Sequence, residues 1–109
     1  MSKYGNRKII IDGIRFDSVA EGRRYTELRL MERAGEIYDL QLQVAFGLIE
    51  SQRRHDGSLE RGVTYVADFT YYDRNHKYIV EDVKGKRTAE YIIKRKLMLK
   101  VHNIEITEV

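Results

Sequence analysis

Two β-prone runs, Val63 to Asp73 and Tyr78 to Lys84, stand on either side of Arg74-Asn75-His76-Lys77, and no other feature constrains the fold as strongly. Branched and aromatic side chains suit a pleated, half-buried surface, so the polar break between the runs predicts an antiparallel hairpin. Each run also carries an acid. Asp68 interrupts Val63-Thr64-Tyr65-Val66-Ala67-Asp68-Phe69, and Asp82 closes the second run, followed two places on by Lys84. Side chains alternate along a strand, so Asp82 and Lys84 share one face, about 7 Å apart, while Glu81 takes the other. A two-residue turn at Asn75-His76 would pair Asp68 with Val83 and put it on the face of Glu81. Bringing Asp68 to the face of Asp82 requires a three-residue turn or a β-bulge.

The rest of the chain arranges itself around that hairpin. Lys8 to Ile11 and Ile14 to Phe16 flank Asp12-Gly13, a strong two-residue turn signal, and predict an opening hairpin. Ser18-Val19-Ala20-Glu21 has the form of a capping box, and the helical pattern runs to Ala34, with Gly35 placed to end it. Leu42 to Glu50 reads as a strand, and Ser51 to Gly62, with Arg53, Arg54 and Arg61, as a mobile polar loop. Thr88 caps a second helix to about Val101, with Ala89, Ile93, Leu97 and Val101 as its buried stripe. Ile104 to Thr107 forms a last strand. The expected fold is α/β, one domain with a central mixed β-sheet flanked by helices.

At 109 residues such a domain has a modest core, and its 34% charged residues suit a globular chain. Without cysteine there is no disulfide framework and no thiolate zinc site, so a metal must take oxygen or imidazole ligands, which favours Mg²⁺ or Mn²⁺. A net charge of +3 is compatible with nucleic acid. No apolar stretch approaches membrane-spanning length and MSKYGNRK lacks a signal-peptide core, so no membrane partner and a cytoplasmic location are expected.

Hydrolysing a phosphodiester requires a positioned water, stabilised phosphate charge and help for the leaving oxygen, all of which carboxylate-bound metal ions supply. Asp68 and Asp82 are the candidate ligands. Lys84 is the candidate for orienting or deprotonating the attacking water, or for neutralising developing charge. The plainer alternative is a structural ion pair of Asp82 and Lys84 at a strand end. Glu21 lies on the helical stripe with Arg24, Tyr25 and Leu28, and is a candidate both to cap its helix with Ser18 and to add a third acid, roles that do not exclude each other. Lys86, Arg87, Lys94 and Arg95 are candidate phosphate contacts, with an ordinary solvated helix face as the alternative. The tyrosines of the strands, Tyr65, Tyr71 and Tyr72, read as packing residues, and His55, His76 and His102 as surface residues without a metal role.

Asp68 followed by Asp82-Val83-Lys84-Gly85, with Glu21 in a preceding helix, resembles the PD-(D/E)XK nuclease superfamily. The likeness extends from Tyr4-Gly5-Asn6-Arg7-Lys8 through Asp12-Gly13-Ile14-Arg15-Phe16-Asp17-Ser18, Tyr65-Val66-Ala67-Asp68-Phe69 and Val80 to Gly85, to Ile104-Glu105-Ile106-Thr107. Over nearly the whole chain it is similar to small phage-encoded nucleases that include Holliday-junction resolvases. That resemblance implies a restriction-endonuclease-like fold and Mg²⁺-dependent DNA hydrolysis, with Mn²⁺ able to substitute. It implies Asp68 and Asp82 as ligands, Glu21 as a further acid, Lys84 as the catalytic lysine, branched DNA as substrate and a homodimer. If the chain is phage-encoded, its cytoplasm is that of a bacterial host. Ala67 stands where the superfamily often has proline, but proline is not a ligand. A nicking or restriction-like endonuclease on duplex DNA, or a non-catalytic DNA-binding module, are the alternatives.

Overall fold

The structure, a computed structural model, describes residues 7–109. Tyr4, Gly5 and Asn6, which carry part of the resemblance, lie outside the described residues. The chain is α/β, with two helices and a mixed four-stranded sheet. The elements are β1 (Ile9–Ile11), β2 (Ile14–Phe16), α1 (Val19–Arg33), β3 (Ile37–Ile49), β4 (Gln52–Arg53), β5 (Leu59–Glu60), β6 (Val63–Asp73), β7 (Tyr78–Asp82), α2 (Ala89–His102) and β8 (Thr107–Glu108). The sheet runs β3-β6-β7-β8, and two small ribbons, β1-β2 and β4-β5, stand apart from it. Packing groups the chain into two units: one ends at Leu40 and takes in Tyr71–Tyr78, and the other is Gln41–Thr70 with Ile79–Val109.

In the first unit, Asp12 and Gly13 both have positive φ, 53° and 76°, as a tight two-residue hairpin requires, and Ile11 pairs with Ile14. Ser18 accepts a hydrogen bond from the N–H of Glu21 at 3.1 Å and so caps α1. A Cβ at Gly22 would lie 2.4 Å from Ile9 Cδ1, so glycine makes room for the Ile9 side chain where the hairpin meets this helix. Phe16 and Tyr25 complete the contact with rings 5.0 Å apart, and the Tyr25 hydroxyl donates to Asp12 Oδ2 at 3.0 Å. The turn between β6 and β7 is the three-residue solution: Asp73 N–H donates to the Lys77 carbonyl, His76 N–H to the Asp73 carbonyl, and His76 is left-handed at φ 63°.

In the second unit, one cluster of Leu48, Tyr65, Ala67, Val80, Tyr91, Met98 and Ile106 forms the core. The segment β7-α2-β8 joins two parallel strands through a helix, with Glu81 paired to Thr107 and Asp82 to Glu108. Thr88 caps α2 by accepting from Tyr91 N–H at 3.1 Å.

Four expectations are corrected. The stripe Ala89, Ile93, Leu97, Val101 is not the buried one: Ile93 and Val101 are 58% and 49% exposed, Ala89 is exposed, and Tyr91 and Met98 are buried. A helix turns about 100° per residue, so each step of four drifts about 40° off line, whereas residues seven apart stay nearly aligned. β3 begins at Ile37, earlier than Leu42, and the alternation that marks a strand is interrupted near its start, where Tyr38 and Asp39 are both exposed and Asp39 has φ 58°. Ser51 to Gly62 contains an antiparallel ribbon, with Gln52 opposite Glu60 and Arg53 opposite Leu59. The last strand is Thr107–Glu108, since Asn103 is left-handed and the Ile104 N–H still donates to the Met98 carbonyl, so the chain is leaving the helix there.

Candidate functional site

The second unit gathers Asp68, Asp82 and Lys84 where β7 ends. Beyond Asp82 the backbone stays fixed on the side of β8: Val109 N–H donates to the Asp82 carbonyl at 3.0 Å and Lys84 N–H to the Val109 carbonyl at 3.1 Å. On the side of β6, Val83 N–H donates to Asp68 Oδ2 at 2.8 Å. A side-chain carboxylate thus takes a donor that a continuing ladder would have given to a backbone carbonyl, and Asp68 is tied to the residue between Asp82 and Lys84. Gln43 Nε2 reaches Asp68 Oδ1 at 3.5 Å, the limit of a hydrogen bond.

Asp82 is 4% exposed, and a carboxylate that far from water needs partners. It has a cation and a hydroxyl: Lys84 Nζ at 3.1 Å from Oδ1 and the Tyr65 hydroxyl donating to Oδ2 at 2.5 Å. The Asp82–Lys84 contact agrees with their placement on one face, and Glu81 is fully buried. The Tyr65 phenol is held protonated far above its ordinary range, first by burial, then by the hydrogen bond to Asp82 and the negative charges of Asp82 and Asp68. Lys84 has a second support, the Tyr91 ring, whose centroid lies 4.1 Å from Nζ.

Next to this set lies a carboxylate that the sequence did not single out. Glu108 accepts from Arg87 Nε and one of its terminal nitrogens at 2.9 and 2.6 Å, from Arg95 at 3.4 Å, and from the Tyr91 hydroxyl at 2.7 Å. These donors hold its carboxyl at about 2, the Arg87 hydrogen bond being the largest cause. Arg87 and Arg95 are thereby committed to an internal anion, and Lys94 stands 3.7 Å from Glu90. Each guanidinium keeps donors beyond those used here. Lys86 is exposed.

Tyr65, Tyr91 and Glu108 are the residues that sequence reasoning missed. One signal was available for Tyr65: alternation with Ala67 and Phe69 marks it as buried, and a buried phenol needs an acceptor. Glu108 meets partners 13 to 21 positions away, which no local pattern reveals. Glu21 sits in the first turn of α1 in the other unit, half-buried, with its N–H on Ser18. His55, His76 and His102 are exposed, His76 beside the Tyr38 hydroxyl and His102 beside the Gly47 carbonyl.

The donor chemistry at Asp68 and Asp82 is all oxygen and anionic, which fits a hard divalent cation. Asp82 spends one contact on each oxygen, and an ionised carboxylate has about four acceptor positions, so it retains capacity for a ligand. Among the described residues no three or more His, Cys, Asp or Glu side chains are gathered as a ready ligand set. Water and phosphate oxygens would have to complete any coordination sphere, as is common for Mg²⁺. No helix among the described residues is long and apolar enough to cross a membrane.

A family model described as Protein of unknown function (DUF1064) matches residues 1–109. No curated protein and no solved structure gives a match.

Proposed function

The chain belongs to the DUF1064 family of unknown function, and from its own residues we propose that it is a metal-dependent DNA endonuclease acting at branched DNA such as Holliday junctions. The observation that carries the reading is the junction of Asp68 with the Asp82-Val83-Lys84 segment: one acid holds the backbone N–H between the other acid and the lysine. A purely structural Asp82–Lys84 pair needs no second acid at that place. The resemblance to PD-(D/E)XK nucleases supports the assignment, and the choice of branched DNA rests on that resemblance.

Asp68 and Asp82 are the residues that would hold Mg²⁺, or Mn²⁺ in its place. Such an ion supplies Lewis-acid charge at the scissile phosphate. The chain's own part is positional. Val83 N–H orients one carboxylate and the Tyr65 hydroxyl the other, as partners behind metal ligands commonly do. The Lys84 ammonium lies between Asp82 and the face of Tyr91, placed to donate to a phosphate oxygen or to the attacking water. Glu21 is carried in this reading as a further acidic residue, and Glu21→Gln tests it. A homodimer would cut two strands symmetrically.

The test incubates the protein with a labelled four-way junction and a matched linear duplex, in Mg²⁺, Mn²⁺ or chelator, beside Asp82→Ala and Lys84→Ala. Paired junction cuts that require metal and both residues are the expected result. Equal cutting of both DNAs would replace the junction enzyme with a general endonuclease. DNA binding without cleavage, alike in wild type and variants, would leave only a binding module.

A further inference from the structure

We propose that the β4-β5 ribbon is a nucleic-acid arm, whose Arg54 and Arg61 grip phosphates of the duplex at a distance from the acidic site; this rests on the nuclease reading. Every residue from Glu50 to Gly62 is exposed, so the ribbon buries almost nothing of its own. Ribbons of this size are marginal in water, yet this one is closely specified. At its base a Cβ on Gly62 would lie 2.4 Å from the Ile49 carbonyl oxygen and 3.1 Å from Ser51 N, so glycine allows the two legs to close. At its tip Arg54 N–H donates to the Ser58 carbonyl and Gly57 N–H to the Arg54 carbonyl, with Gly57 left-handed at φ 88°.

The charges are sorted as well as placed. Asp56 is turned into the tip, accepting from the N–H of Ser58 at 2.9 Å and its hydroxyl at 2.6 Å, and Glu60 accepts from Gln52 at 2.6 Å. Arg53 donates to the Gly57 carbonyl, which stiffens the tip. Arg54 and Arg61 have no acidic partner among the described residues, and Leu59 is 57% exposed between the cations. An open groove of about 550 Å³ is lined by Gln52, Arg53, Arg54, His55, Asp56 and Glu60. Asp56 and Glu60 are occupied within the ribbon and Glu50 is exposed at its base, while Arg54 and Arg61 are exposed along it and offer two guanidiniums to a polyanion. A two-stranded ribbon is also narrow enough for a major groove. Arg61 is seven residues before Asp68, about 23 Å of extended strand, less than the roughly 34 Å of one B-DNA turn. One duplex can therefore meet both.

The experiment measures binding of labelled linear duplex and four-way junction by anisotropy, in chelator, across a salt series. It compares wild type, Arg54→Ala/Arg61→Ala, and a control of equal charge loss, Arg15→Ala/Arg33→Ala, with thermal melts to confirm folding. The ribbon variant is expected to weaken binding of every sequence alike and to flatten the salt dependence of log K by about 2, with the control near wild type. Metal-dependent cleavage of wild type is run in parallel. If wild type cleaves but the ribbon variant binds with the affinity and salt slope of wild type or of the control, the arm is wrong and the nuclease reading stands. If wild type neither binds nor cleaves DNA, both fail.

Discussion

Asp82 and Glu108 are neighbours across the parallel pair of β7 and β8, and each accepts a hydrogen bond from a buried tyrosine, Tyr65 in one case and Tyr91 in the other. Their charge environments differ. Glu108 is met by two guanidiniums, one of them through two nitrogens, so the cluster of Glu108, Arg87 and Arg95 is already positive without any ligand. Asp82 is met by a single ammonium, one cation to one carboxylate, and a second acid, Asp68, is tied to the next residue. One acid fastens the end of the chain to α2. The other stands beside a lysine and close to a second acid, where a divalent cation would find two carboxylates, and the ring of Tyr91 touches both: its hydroxyl serves Glu108 while its face carries Lys84.

The sharpest way to break that contrast is to neutralise each acid in turn. Asp82→Asn is expected to reduce metal-dependent cleavage on the order of 10³-fold, because it removes charge at the place where transition-state charge must be offset. Glu108→Gln is expected to leave the rate within a few-fold. Metal-induced rise in Tm gives a second readout without turnover: present in wild type and Glu108→Gln, absent in Asp82→Asn. Loss of cleavage in the Glu108 variant, with cleavage retained in the Asp82 variant, would reverse the assignment.

Removal of the side chain ranks next. Glu108→Ala strands Arg87, Arg95 and the Tyr91 hydroxyl together, and is expected to cost about 2 kcal/mol, a figure kept low because the side chain is partly in contact with water. Urea denaturation measures it. An effect within error would mean that β8 is held by its backbone and by Ile106 alone.

The same contrast shows what was legible in the sequence. Local signals worked where their cause is local: Asp12-Gly13 needs two positive φ values, Ser18 and Thr88 satisfy nearby N–H groups, and the acid spacing of Asp82 and Lys84 survives because alternation is local to one strand. The three-residue turn followed from requiring Asp68 and Asp82 to share a face. What failed depended on distant partners or on small angular drift. The stripe from Ala89 to Val101 looked periodic but wandered off the core, and β3 hid its first residues behind the break in alternation at Asp39. Arg87 and Arg95 read only as candidate phosphate contacts, and their pairing with Glu108 was invisible because that anion lies on β8, 13 to 21 positions away.

Deleting single hydroxyls tests the tyrosines at smaller scale. Tyr65→Phe leaves Asp82 with one partner at 4% exposure, and Tyr91→Phe leaves Glu108 with both guanidiniums. Stability losses of about 1 kcal/mol for the first and less for the second are expected by denaturation, since an acceptor left short in the interior costs more than one still satisfied. Tyr91→Phe keeps the ring beneath Lys84, so cleavage should survive it. Equal losses would show that the two carboxylates are equally well supplied, against the comparison.

The electrostatic side of the comparison is read from pH. The carboxyl of Glu108 is depressed from its ordinary value near 4.5 to about 2, chiefly by Arg87 and then by Tyr91. A depressed acid binds protons less readily in the folded chain than in the unfolded one, so its contribution to stability is fully present above pH 4.5 and is lost as pH falls toward 2. Wild type should therefore lose stability more steeply than Glu108→Gln across that interval, and the two curves should run parallel above pH 5. The difference isolates Glu108, because every other carboxylate is common to both proteins. Parallel curves through the whole acid range would mean that the guanidiniums do not favour the ionised form, and the contrast with Asp82 would lose its electrostatic basis.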